Sequence, residues 1–184
     1  MRLLSIWCHL SILLILLVPS RSQAAEGVSF ISYQTPYLLI NDPHRQAEVW
    51  ATCHAAYEIV SVVIKNQSPA QSDQFHQMAN GAKIAIMMTY VSDAIKDMDD
   101  KNSNAFISRF NSALEYGKTA SNSMPETKNT ALMAIFEAGD EQQKTQWFAD
   151  LRATINGCVE NLEGQQVLID LSRDLVTSGL FQKQ

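Results

Sequence analysis

The stretch "EVWATCHAAYEIVSV", residues 48–62, sets a thiol, an imidazole and a carboxylate close together: Cys53, His54 and Glu58. A cysteine beside a histidine raises three chemistries: a haem anchor, a metal ligand pair, or a nucleophile with its base. Covalent haem attachment needs a second cysteine three residues before Cys53, and Trp50 stands there, so that chemistry is excluded. Neighbouring side chains on a helix diverge by about 100°, so Cys53 and His54 do not form a dyad. A structural zinc site needs clustered ligands, and Cys158 lies far along the chain with no histidine near it.

His54 and Glu58 stand four residues apart and share a helix face. They make half of a metal site, which His76 would complete from a following helix. Met88, one of several methionines after His76, adds a thioether suited to copper, or an axial haem ligand opposite His54. Methionines at helical spacing ordinarily fill cores, and a flanking histidine is ordinarily hydrogen-bonded or exposed. The sequence therefore assigns no cofactor. His54, Glu58, His76 and Met88 define the alternative reading, a metal- or haem-binding bundle. Trp50, Tyr57, Trp147 and Phe148 flank the two cysteines and offer walls for a small-ligand pocket. Signatures of P-loops, dinucleotide-binding loops, serine hydrolases and zinc proteases are missing from the sequence. The acidic run around Asp97, Asp99 and Asp100 lacks the glycine and glutamate of an EF-hand loop.

The elements that hold these residues begin with the leader. "MRLLSIWCHLSILLILLVPSRSQAAEG" has a basic start, an apolar run and small residues at Ser22 and Ala24, the pattern of a cleaved secretory signal over residues 1–24. Export to the periplasm or beyond the cell follows as the expected localisation, and no later stretch reads as a bilayer span. Loss of Arg2 and Arg21 takes the net charge from −5 to −7, which disfavours nucleic acid and anionic lipid as partners. Two cysteines remain, Cys53 and Cys158, and an even count in an exported chain points to a disulfide.

Residues 25–41 read as an extended arm, with one edge strand around Val28, Phe30 and Ile31 as an option. Residues 42–184 read as one all-α domain, an up-and-down bundle of five to six helices. Asp42-Pro43 and Ser68-Pro69 are helix starts. In the first helix Val49, Cys53, Tyr57, Val60 and Ile64 form one apolar stripe. In a late helix, which starts at a capping box of Asp140 and Gln143 and stops near Gly164, Trp147, Leu151, Ile155, Cys158 and Leu162 form another. Each stripe carries one cysteine inward, so the two helices are expected to be neighbours. Asn80-Gly81 is expected to break or kink the second helix, and Ser123-x-Pro125 to begin a separate one. The expected function is non-catalytic: an exported module that binds a protein or a small ligand.

Overall fold

Asp42 caps the first helix by accepting the backbone N–H groups of His44 (2.9 Å) and Arg45 (3.3 Å), and Pro43 occupies the first helical position. The computed structural model describes Phe30, residues 36–98 and residues 103–180. The described residues are all-helical. A short 3-10 turn spans Tyr37–Leu39 and precedes α1 (Pro43–Ile64), α2 (Pro69–Ile95), α3 (Asn104–Ala138), α4 (Glu141–Glu160) and α5 (Leu162–Thr177). The signal segment, Val28 and Ile31 lie outside the described residues, as do Asp99 and Asp100. No strand occurs among those described.

The helices form a bundle around α1 and α2. Helix α3 packs on both, α4 returns to α1, and α5 returns to α2. The single apolar stripe expected of α1 is only part of what it buries. Trp50, Ala51, Ala55 and Ala56 are enclosed as fully as Val49, Cys53 and Tyr57, because α2, α3, α4 and the 3-10 turn close on it from several sides. By length and composition α1 also passes for a bilayer span, contrary to the expectation that no later stretch would. Its apolar character is accounted for by burial, since 61% of the relevant window lies inside the bundle.

The Cys53–Cys158 disulfide joins α1 to α4 with their Cα atoms 5.7 Å apart. Next to it the 3-10 turn is pinned from both sides. The Tyr37 N–H donates to Asn161 Oδ1 (2.8 Å), and Gln46 Nε2 donates to the Tyr37 carbonyl (2.8 Å). The Tyr37 ring packs edge-on against Trp50.

Three helix boundaries differ from the sequence expectation. Gly81 does not interrupt α2. It is where Gln165 and Ile169 of α5 press against the backbone, and a Cβ there would collide with the Gln165 amide. Pro125 lies inside α3, so the two expected helices are one of 35 residues. A mid-helix proline costs about 3 kcal/mol. Burial of Phe110, Leu114 and Ala120 before it and Leu132 after it offsets that cost. Gly117 in the same helix lets α3 lie against the Met87 backbone of α2, where a Cβ would sit 2.7 Å from a carbonyl oxygen. Gly164 does not end α4. The break falls at Asn161, whose side chain donates to the Gly157 carbonyl, and Gly164 lies within α5 against Leu38. The capping box at Asp140 and Gln143 forms as expected, with both bonds at 2.8 Å.

Candidate functional site

A groove of about 810 Å³ opens between α1, α2, α3 and α4. Each wall has its own character. From α2 come only polar side chains: His76, Asn80 and Lys83. From α4 come only apolar ones: Trp147, Phe148 and Leu151. The other two walls change along their length. Helix α1 contributes His54 and Glu58 first, then Ile59, Val60, Val62, Val63 and Ile64; α3 contributes Asn122, Pro125, Glu126 and Asn129, then Met133 and Phe136. The groove thus has a polar end and an apolar end. Val62, Val63 and Phe148 on the apolar rim are 71%, 63% and 52% exposed, so this end opens to solvent.

The apolar end is built on Trp147. Its indole N–H donates to the Leu132 carbonyl (2.9 Å), which ties α4 to the last turns of α3. Phe30, Phe136 and Phe148 surround the ring with centroids 4.9–5.5 Å away. Trp147 also packs with Ala55, Ala56, Ile59, Leu132 and Leu151 in a core cluster of its own, separate from the cluster that contains the disulfide.

At the polar end Glu58 accepts from His76 Nδ1 (2.7 Å). Lys83 is half-buried and has no carboxylate within ion-pair distance among the described residues. His54 is partly buried, and its Nδ1 is enclosed without a hydrogen-bond partner. Burial first, then the charges of Lys83 and His76, push the His54 pKa down to about 4. The ring is therefore neutral at physiological pH.

This depressed pKa fixes a pH dependence. The unfolded imidazole takes a proton near pH 6.5, whereas the folded one refuses it until about pH 4. Between those values the unfolded chain binds more protons, so stability falls as pH drops through that window. We expect wild type to lose roughly 1–2 kcal/mol more than His54→Gln between pH 7 and pH 4, allowing for solvent screening of a partly exposed ring. Parallel melting curves of the two proteins across that range check it, and equal slopes would contradict it.

The residues singled out in the sequence divide between groove and core. Trp147 and Phe148 line the groove, as do His54, Glu58 and His76. Trp50 and Tyr57 are fully enclosed in the core around the disulfide, away from the groove, because α1 is covered on that side too. Met88 is likewise a fully buried core side chain and does not line the groove. Among the described residues no group of three or more His, Cys, Asp or Glu side chains is placed to hold a metal ion. Lys83, Asn122, Asn129, Met133 and Phe136 were not marked by the sequence as site residues, and Asn80 was marked only as part of a helix break. They share no motif and meet only through the packing of α2, α3 and α4.

Fold and groove together define a class: a helical, disulfide-linked bundle with an open, amphipathic groove lined by four helices. Beyond that class, no protein-family model, characterised protein or solved structure matches the chain.

Proposed function

We propose that this is a non-catalytic small-ligand-binding protein of an oxidising, exported compartment, and that the groove is its binding site. The observation that carries this reading is the segregation of the lining, polar on α2 and apolar on α4. A volume of about 810 Å³ falls in the range of small-molecule sites. Such a lining suits a molecule with a polar head and an apolar body. Export rests on the leader pattern of residues 1–24, and the Cys53–Cys158 disulfide is consistent with it. The metal or haem alternative draws no support from the residues around His54.

Calorimetric titration with dodecyl-chain amphiphiles below their micelle concentration tests the reading. Saturable binding at one molecule per chain is expected. It should weaken several-fold in Val63→Gln, a substitution at an exposed groove position that leaves the helical circular dichroism unchanged. Absence of saturable heat with any head group would contradict the reading.

A further inference from the structure

The polar end of the groove contains groups that select a head group. Lys83 brings a positive charge that no described carboxylate neutralises by direct contact. His54 lines the same groove as a neutral ring, and its enclosed Nδ1 has no hydrogen-bond partner. The two are near enough for the ammonium to disfavour protonation of the imidazole. Asn80 and Asn122 add amide donors on the α2 and α3 walls. A cation and neutral donors that converge at one end of an apolar channel match an anion with two acceptor oxygens.

Two carboxylates also face the groove and set the limits of this match. Glu58 is occupied by His76. Glu126 is exposed on α3, and its charge opposes an anion. The groove thus favours a ligand with a single negative charge, held at Lys83, over a dianion that would also meet Glu126.

We propose that the Lys83–His54 end of the groove is a carboxylate subsite, and that the ligand is a free monoacyl carboxylate whose chain runs toward Met133, Phe136 and Trp147. The proposal rests on the small-ligand reading above and adds the head group to it. No bond is made or broken. The carboxylate accepts from the Lys83 ammonium and the His54 N–H, while the chain displaces water from the apolar walls.

Dodecanoate and dodecan-1-ol separate the two levels of the argument, because they share a chain and differ in charge. Dodecanoate is expected to bind wild type at least about tenfold more tightly than the alcohol, as a charge-assisted contact at a half-buried site provides. Lys83→Met should abolish that preference by weakening dodecanoate far more than the alcohol, and Glu126→Gln should increase it. Imidazole resonances supply an independent readout: dodecanoate should raise the His54 pKa from about 4, and dodecan-1-ol should not. Equal affinity for both ligands, with Lys83→Met silent, would overturn the carboxylate subsite and leave the groove reading standing. Failure of both ligands to bind would overturn the reading on which it rests.

Discussion

Reduction of the Cys53–Cys158 bond is expected to lower the melting temperature of the protein by about 8–20 °C. The bond closes a loop with a sequence separation of 105 residues. A crosslink over such a span removes enough freedom from the unfolded chain to stabilise the fold by roughly 4–5 kcal/mol. For a domain of this size each kcal/mol corresponds to about 2–4 °C. The position of the bond matters as much as the length of its loop. It ties α1 to α4, the element that carries the apolar wall of the groove. Apart from this bond, the contacts that hold α4 lie largely in the Trp147 cluster. Reduced protein, or Cys53→Ala with Cys158→Ala, should therefore also bind an amphiphile more weakly. Melting curves with and without reductant check the first effect, and coincident curves would contradict it.

Trp147→Ala is expected to cost about 3–5 kcal/mol, the range for a buried large aromatic. The indole fills the centre of the second core cluster, against Ala55, Ala56, Ile59, Leu132 and Leu151. It also supplies the hydrogen bond that holds α4 to the end of α3. Trp147→Phe separates these contributions, since it keeps a ring in the cluster and loses the bond to Leu132. That variant should lose the net value of one buried hydrogen bond, about 1 kcal/mol, plus a small packing term. Chemical denaturation of both variants against wild type measures the difference. A loss below about 1 kcal/mol in the alanine variant would mean that α4 is held elsewhere.

The disulfide was legible because both of its helices announce their inward faces. Steps of three and four place Cys53 among Val49 and Tyr57, and Cys158 among Leu151 and Ile155, without reference to any other element. Local chemistry also marked the helix starts at Asp42 and Asp140, where the caps form with the residues the spacing names. Pro125 misled for a physical reason. Its propensity penalty is local, whereas the burial of Phe110, Leu114 and Leu132 that outweighs it depends on α1, α2 and α4. Gly81 and Gly164 misled in the same way. They read as breaks along the chain, yet they serve close contacts with Gln165 and Leu38.

The groove was only half legible. Trp147 and Phe148 stood out as aromatics, and His54, Glu58 and His76 as possible ligands. Trp50 and Tyr57 have the same residue types and lie in the core instead, because type alone does not say which side of α1 is covered. Lys83 and Asn122 carry no local signal at all, and Asn80 stood out only as half of an Asn-Gly break. Their meaning depends on which face of α2 meets which face of α3, and that is set by side-chain packing across three helices.

A crystal structure of the oxidised protein soaked with dodecanoate tests the central claim most directly. The account predicts one chain of density along Met133, Phe136 and Trp147, with its carboxylate within hydrogen-bond distance of Lys83. An empty groove at saturating dodecanoate, or an acyl chain bound only at another surface, would contradict it.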